Sequence, residues 1–209
     1  MEIKLITATP SFLKTIWIAA RTCYSPLSPI ELSDQEPLMD DMLRIIDHLI
    51  KQKHLSVLEH CSVTFAVKDV SRTLLAQYSR HRIGVSLSVQ SQRYVSERRD
   101  AAGGLFDYVV PEAVTNHQGA QSEFLQAMEQ AQKSYDALLT LGIRKEDARF
   151  VLPGGAGTNF VTTLNLRSFL DVYQKRVLTP GAQWEIRAML KRMGELLQER
   201  EPWLGTYLG

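Results

Sequence analysis

The chain has 209 residues, with 24 basic and 23 acidic side chains, so its formal net charge is only +1. Because broad attraction to nucleic acid normally requires a basic domain, this balance argues against a nucleic-acid partner. Apolar residues make up 44% of the chain and charged residues 22%, which is typical of a globular protein, and we predict a single domain over residues 1–209. No apolar run approaches the roughly 20 residues that cross a bilayer, so we expect a cytoplasmic protein without a membrane partner.

The amino-terminal part of the chain predicts one strand and two helices. Residues 2–7 alternate polar and apolar side chains over part of their length, which indicates a strand. Ser11 can cap a helix that ends near Cys23. Ser33 or Asp34 would open a second helix, whose apolar residues recur at three and four positions as expected for one buried face.

The next segments predict a loop, a strand and a helix in turn. A polar loop over residues 53–60 leads into residues 61–68, where every second side chain is apolar, so we predict a strand with one buried face. Asp69 would cap a helix that runs through Tyr78. Residues 87–95 are rich in serine and β-branched side chains, and we predict that they are extended.

The remaining chain is predicted to be mainly helical. Glycine, proline and asparagine make residues 100–118 mostly loop. We predict helices from Ser122 to just before Gly142, over residues 146–149, 166–177 and 181–200, and a strand over residues 158–164.

The segment from Arg80 to Tyr94 concentrates cationic and hydroxyl side chains. Three guanidinium groups, one imidazole and three serine hydroxyls fall within fifteen residues of an otherwise balanced chain. Arginine offers a rigid fork of donors that suits phosphate, and serine adds a short neutral donor. A phosphorylated ligand is the functional interpretation. The structural interpretation is that these arginines only stabilise the carboxyl end of a helix through its dipole, by about 0.3–1 kcal/mol.

The same segment resembles the signature of the flavin-dependent thymidylate synthases. That signature begins Arg-His-Arg, continues with seven or eight residues, and ends with serine, one further residue and Arg-Tyr. Here it appears as Arg80-His81-Arg82, eight residues, Ser91, Gln92 and Arg93-Tyr94. Further matches to the family follow in the same order along the chain: Ala19 to Ser25, the set His54, Ser56, Glu59 and His60, Ala148 to Pro153, Asn165 to Ser168 with Arg176, and Ala182 to Arg187.

The resemblance implies an α/β (α+β) protein with a mainly antiparallel sheet flanked by long helices, the thymidylate synthase-complementing fold. It also implies an enzyme that methylates dUMP to dTMP. Methylenetetrahydrofolate would donate the carbon, and FAD reduced by NADPH would donate the hydride. Family members are homotetramers whose sites combine several subunits, so the resemblance implies the same assembly here.

The resemblance also implies roles for individual residues. Arg176 would be catalytic, since it corresponds to an arginine near uracil N3 where it would stabilise charge on the pyrimidine. The implied dUMP-binding residues are Gln77, Tyr78, Ser79, Arg80, Val89, Gln90, Ser91, Gln92, Arg93, Arg149 and Arg176. The implied FAD-binding residues are Ser56, Glu59, Arg80, His81, Arg82, Val89, Asn165, Arg167 and Asp171.

Two of these residues depart from the family. Val89 lies where many members have a polar or acidic side chain. Asp171 lies where many have asparagine or histidine, and its carboxylate could weaken binding of the FAD pyrophosphate.

Other interpretations were weighed against this one. The histidines and Glu59 between His54 and His60 lack the spacing of a zinc site, and we predict no metal. Residues 154–157 lack the Lys-Ser/Thr of a phosphate loop and indicate a turn. Cys23 and Cys61 are predicted to be reduced and not nucleophilic. A family paralogue that acts on another pyrimidine nucleotide, and a non-catalytic nucleotide- or RNA-binding module, remain open.

Overall fold

The computed structural model describes residues 1–97 and 104–209. The chain divides into two compact units. Unit 1 consists of Met1–Glu2, Val67–Arg80 and Ser88–Phe160, and unit 2 of Ile3–Ala66, His81–Leu87 and Val161–Gly209. The single domain predicted over the whole chain stays a prediction.

Four strands form one antiparallel sheet in the order β1-β2-β4-β3. The strands are β1 (Glu2–Ala8), β2 (Ser62–Ser71), β3 (Val85–Val89) and β4 (Gly157–Asn165). In β2, Val63, Phe65 and Val67 are buried, as its alternating sequence predicts. The predicted α/β (α+β) class is therefore confirmed.

Helices account for most of the other described residues. The α-helices are α1 (Phe12–Thr22), α2 (Pro29–Ser33), α3 (Met39–Lys51), α4 (Arg72–Tyr78), α5 (Glu112–Thr115), α6 (Gln118–Thr140), α7 (Lys145–Ala148), α8 (Leu166–Tyr173), α9 (Trp184–Arg200) and α10 (Gly205–Leu208). Short 3-10 helices cover Leu55–His60, Arg149–Val151 and Pro202–Leu204, and a π-helix covers Gln174–Leu178. None of the described helices combines the length and apolar character that crossing a bilayer requires.

Two predicted helix starts are wrong. Ser33 and Asp34 do not open α3. They end α2, whose cap is Ser28, and Pro37 then disfavours helical backbone in the residue before it. Asp69 does not cap α4, because Ser71 Oγ accepts the Leu74 N–H at 2.9 Å.

Asp69 instead lies within β2 with a positive φ of 59°. Its backbone N–H donates to Asn159 Oδ1 at 2.9 Å, a contact within unit 1. This hydrogen bond holds Asp69 in a conformation that is uncommon for residues other than glycine. A tertiary contact of this kind is invisible to local sequence patterns.

Several boundaries also differ from the predictions. The polar segment before β2 forms a 3-10 helix rather than a loop. The predicted extended segment ends at Val89 and turns at Ser91, whose carbonyl accepts the N–H groups of Tyr94 and Val95. Part of the loop predicted over residues 100–118 forms α5, while residues 100–103 lie outside the described residues.

Three of the later helices also start or end elsewhere than predicted. Helix α6 begins before Ser122, because His117 Nδ1 accepts the Ala120 N–H. The helix predicted over residues 166–177 becomes a π-helix after Tyr173. Helix α9 begins at Trp184, capped by Gln183, and not at residue 181.

Each unit has its own apolar contacts. In unit 1, Tyr78 stacks on Phe160 with ring centroids 5.5 Å apart, and Phe106, Met128 and Ala156 form a second cluster. In unit 2, Phe65 of β2 packs against Phe169 of α8, with centroids 6.2 Å apart. Helix α8 is thereby held by the core of unit 2, and its first and last turns carry predicted site residues.

Candidate active site

The first turn of α8 in unit 2 is tied to the turn that follows the Arg-His-Arg sequence. Asn165 caps the helix, because its Oδ1 accepts the Ser168 N–H at 2.8 Å. Its own N–H donates to the Gly84 carbonyl at 3.1 Å. Gly84 has a φ of +63°, and a Cβ there would collide with the side chains of Ser168 and Asn165. Only glycine fits this close approach.

An ion pair joins α8 to the 3-10 helix at Leu55–His60. Arg167 Nη1 donates to Glu59 Oε1 at 2.6 Å, although the two residues are 108 positions apart. Beside this pair, the Leu166 N–H donates to the Cys61 carbonyl at 2.8 Å. Ser56 lies on the same 3-10 helix as Glu59. The structure thus brings together residues from two matching motifs that are distant in sequence.

The predicted catalytic arginine is held by the histidine of the Arg-His-Arg sequence. Arg176 Nε donates to His81 Nε2 at 3.0 Å, and Arg176 is half-buried. Arg176 lies in the π-helix at Gln174–Leu178, a rare structure that is frequent at functional sites. His81 and Arg176 therefore form one hydrogen-bonded pair within unit 2.

The remaining predicted flavin residues of unit 2 are exposed. Asp171 is paired with Lys175, whose Nζ lies 2.7 Å from Asp171 Oδ2. This lysine offsets the negative charge of the Asp171 carboxylate. Arg82 exposes its guanidinium beside His81.

In unit 1, one glutamate contacts two arginines that are predicted to bind dUMP. Glu146 Oε2 accepts from Arg93 Nε at 2.9 Å, and the Glu146 carbonyl accepts from Arg149 Nε at 3.1 Å. In the turn that carries Arg93, Ser91 Oγ accepts the Arg93 N–H at 3.3 Å. No sequence motif selects Glu146, which lies 53 positions from Arg93.

Gln90 is held in place by two residues of unit 1. Its Oε1 accepts from Asn159 Nδ2 at 2.6 Å, and its carbonyl accepts from Arg72 Nη2 at 3.3 Å. Arg72 was missed by the sequence analysis. Burial lowers the pKa of its guanidinium; Glu97 opposes this shift, while the like charge of Arg149 adds to it. Its sequence signal is a cation in the first turn of a helix, which the helix dipole disfavours.

The other predicted dUMP-binding residues of unit 1 differ in exposure. Tyr78 is fully buried and its ring stacks on Phe160. Gln92 is also buried, Gln77 and Val89 are half-buried, and Ser79 and Arg80 are exposed. These roles stay predictions.

The cysteines and histidines do not suggest another kind of chemistry. Cys61 is fully buried, and burial together with the charge of Glu201 raises its pKa to about 12, so its thiol stays protonated at neutral pH. Cys23 is exposed. Among residues 1–97 and 104–209, no three His, Cys, Asp or Glu side chains cluster in a way that could hold a metal ion.

Comparison with known proteins identifies the family. A family model described as "Thymidylate synthase complementing protein" matches residues 4–203. The chain belongs to this family. It is 38% identical over 202 residues to the flavin-dependent thymidylate synthase of Geobacter sulfurreducens, with 97% of this chain and 84% of that protein covered. It is 33% identical over 225 residues to that of Clostridium tetani, with 100% and 87% covered.

Solved structures show that the fold of the family is shared. A UMP/dUMP methylase from Streptomyces cacaoi, bound with 5-Br dUMP, matches with a TM-score of 0.82 at 22% identity, over 98% of this chain and 94% of that chain. Thymidylate Synthase X from Helicobacter pylori, with FAD and dUMP, matches with a TM-score of 0.77 at 24% identity, over 100% and 99%. The resemblance found in the Arg-His-Arg segment is confirmed by family membership along almost the whole chain.

Proposed function

We propose that the protein is a flavin-dependent thymidylate synthase, which methylates dUMP to dTMP and uses FAD as its cofactor. The observation that carries this proposal is the pairing of family-motif residues in unit 2. Glu59 pairs with Arg167 and His81 with Arg176, within a chain that matches the family over residues 4–203. Motif residues that are far apart in sequence would not form such pairs if the matches were accidental.

The donors of unit 2 fit a flavin dinucleotide. Arg82 and Arg167 offer guanidinium groups, Asn165 an amide and Ser56 a hydroxyl, and such groups suit pyrophosphate oxygens and ring carbonyls. The bound flavin supplies hydride transfer, so the residues of the chain have to bind and orient the reactants. The ion pair with Glu59 orients Arg167 for that task.

The arginines of unit 1 fit the phosphate of dUMP. Arg93 and Arg149 are each held through Nε, and neither donates a hydrogen bond from Nη within the described residues. The two Nη atoms of one guanidinium can donate side by side to two oxygens of a phosphate group. Gln90, held by Asn159, would contact the nucleotide beside them.

Arg176 is the residue to which we assign the electrostatic part of the reaction. A fixed cation beside the pyrimidine would stabilise negative charge as uracil C5 becomes nucleophilic. No proton has to leave the guanidinium for this role, because arginine stays charged at neutral pH. Its anchoring by His81 supports the assignment.

The co-substrates, the assembly and the location are finer parts of the proposal. Methylenetetrahydrofolate would donate the carbon, NADPH would reduce FAD, and a homotetramer in the cytoplasm would share sites between subunits. Ile83, Tyr94 and Phe150 support assembly, because these large apolar side chains are between 77% and 89% exposed next to predicted site residues.

An absorbance spectrum with and without dUMP, followed by turnover assays, tests the function. We expect a flavin spectrum, dUMP-dependent oxidation of NADPH and tritium release from uracil C5. A colourless protein that cannot be reconstituted with FAD would contradict the proposal.

Comparing thermal stabilisation by dUMP, dCMP and UMP distinguishes a paralogue with another substrate. Retention on single-stranded nucleic acid with a steep salt dependence, and without flavin, would instead indicate a binding module.

A further inference from the structure

The contact between Arg176 and His81 defines the protonation of the imidazole. A guanidinium has five N–H donors and no acceptor, so the 3.0 Å contact requires an unprotonated Nε2 on His81. In this pair the imidazole is therefore neutral and carries its proton on Nδ1. A protonated His81 would have no lone pair to offer and would face the guanidinium with a like charge.

Both partners are placed by the same helix. His81 lies three residues before Gly84, and Gly84 is fitted against the Asn165 cap of α8. Arg176 lies in the π-helix that continues α8 at its other end. The neighbouring cation, Lys175, is paired with Asp171 and is therefore engaged elsewhere.

Arg176 is held in a different way from Arg167. Arg167 uses an Nη atom in its ion pair with Glu59, whereas Arg176 uses Nε and makes no hydrogen bond from Nη within the described residues. An arginine anchored at Nε keeps its two Nη donors for a ligand. The side-chain torsions are restricted while the ligand-binding edge remains available.

We propose that His81 is a positioning residue for Arg176, acting through the lone pair of its neutral Nε2. This inference rests on the proposed function, in which Arg176 contacts the pyrimidine. It is distinct from the flavin-binding role that the family resemblance implies for His81. If His81 only bound flavin, its substitution would lower FAD affinity. If His81 positions Arg176, its substitution lowers turnover even when FAD and dUMP are both saturating.

Two substitutions of His81 test whether its hydrogen-bond acceptor or only its side-chain volume is needed. His81→Gln keeps a carbonyl oxygen that can accept from Arg176 Nε, and His81→Leu keeps volume without an acceptor. At saturating FAD and dUMP we expect His81→Leu to lower kcat by about tenfold to a hundredfold and His81→Gln by less than about fivefold. An equal loss of kcat in the two variants, or a loss of FAD affinity with unchanged kcat, would overturn the proposal.

A double-mutant cycle tests whether the effect passes through Arg176. Lysine has no guanidinium and therefore lacks the Nε–H that donates to His81. In an Arg176→Lys background, His81→Leu should thus lower kcat by less than about threefold. Lys175→Ala is the matched control, because Lys175 is the adjacent cation and its amino group is paired with Asp171. The full effect of His81→Leu should persist in that background. Additive effects with Arg176→Lys would overturn the proposal.

A spectroscopic measurement decides the hydrogen bond independently of catalysis. The chain has five histidines, so ¹⁵N spectra can be assigned with His81→Gln. At neutral pH we expect His81 to be neutral with its proton on Nδ1, and to lose this preference in Arg176→Lys. A proton on Nε2 in the unsubstituted protein would overturn the inference. Absence of dUMP-dependent turnover in that protein would instead contradict the proposed function, and the spectrum would still report on the pair.

Discussion

The candidate site residues of the two units are held in place by different kinds of contact. In unit 2, the imidazole of His81 accepts from Arg176 across 95 positions, at the end of a helix whose apolar side chains are buried. The Glu59–Arg167 ion pair of unit 2 does not share this feature, because its side chains are 45% and 49% exposed. In unit 1, Arg93 is held by an ion pair with Glu146, and their side chains are 52% and 34% exposed. Added salt weakens the attraction within an exposed ion pair such as this one. It has much less effect on the packing of apolar side chains around a buried helix.

This difference predicts how each region responds to change. Substitutions of His81, Arg176 or the glycine that supports α8 in unit 2 should alter turnover, flavin binding or stability with little dependence on salt. Substitutions of the arginines in unit 1 should alter dUMP affinity, and salt should change the size of the effect.

Removing the Arg176 guanidinium should have the largest effect. Arg176→Ala should lower kcat by about a hundredfold to a thousandfold, since the loss of one group that stabilises developing charge costs this much in comparable sites. The unfolding transition should change little, because Arg176 is not part of the apolar core. Tritium release from uracil C5 measures the rate, and calorimetry measures the fold.

Lys175→Ala is the control for this experiment. It removes an adjacent cation that is paired with Asp171, and should keep kcat within about twofold because surface ion pairs contribute little. If both variants lowered kcat by the same factor, the net charge of the π-helix would be responsible, and the specific role of Arg176 would be refuted.

Gly84→Ala should destabilise the protein through two costs. Left-handed backbone costs about 1–2 kcal/mol for an alanine, and the collision with Asn165 and Ser168 adds about 1–3 kcal/mol. Because the turn at Gly84 directly follows Arg80-His81-Arg82 and packs on Asn165, flavin retention should fall as well. Chemical denaturation and the flavin absorbance of purified protein measure the two effects.

Gly142→Ala in unit 1 separates the two costs. Gly142 has a φ of +84°, and a Cβ there would meet nothing within 4 Å, so only the backbone cost of about 1–2 kcal/mol applies. Flavin retention should not change. Equal destabilisation by the two substitutions would mean that the close approach at Gly84 contributes nothing.

Arg93→Ala should weaken dUMP binding without a comparable loss of kcat. Removing a charge-assisted contact to phosphate should raise the KM for dUMP by about tenfold to a hundredfold, and the salt dependence of KM should become shallower. Arg144→Ala is the control, because Arg144 lies 3.9 Å from the same Glu146 but outside the predicted site. A matching rise in KM for Arg144→Ala would indicate general attraction and not a specific contact.

The sequence predicted most of the secondary-structure elements, but it did not predict the contacts between them. Alternation in β2 identified Val63, Phe65 and Val67 as one buried face, because burial on a strand follows a period of two. Motif matches selected Arg167 and Arg176, but residue spacing carries no distance across a fold. The pairing of Arg176 with His81 therefore appeared only in the structure.

The wrong predictions have the same physical origin. Asp69 has the side chain of a helix cap, yet its conformation is held by Asn159, which lies 90 positions away. Glu146 and Arg72 belong to no matched motif and become notable only through contacts with Arg93 and Gln90. Local propensity cannot register a partner that arrives through tertiary folding.

Cys61→Ala should have the smallest effect on the reaction, and it tests whether the core of unit 2 contributes chemistry of its own. Burial keeps the thiol protonated, with a pKa raised from 9.0 to about 12, so kcat should stay within about twofold of the unsubstituted protein. A loss of activity in a folded Cys61→Ala variant would contradict the prediction that this cysteine is not a nucleophile.

The same substitution has a pH signature in stability. Above pH 9 the unfolded chain loses the thiol proton while the folded chain keeps it, so the unfolding free energy falls as pH rises from about 9 towards 12. The contribution of one group to this slope is at most about 1.4 kcal/mol per pH unit. Cys61→Ala should remove that contribution and flatten the profile in denaturant titrations between pH 9 and 11. An unchanged profile would mean that the thiol ionises in the folded protein, which would contradict its burial beside the Phe12 carbonyl.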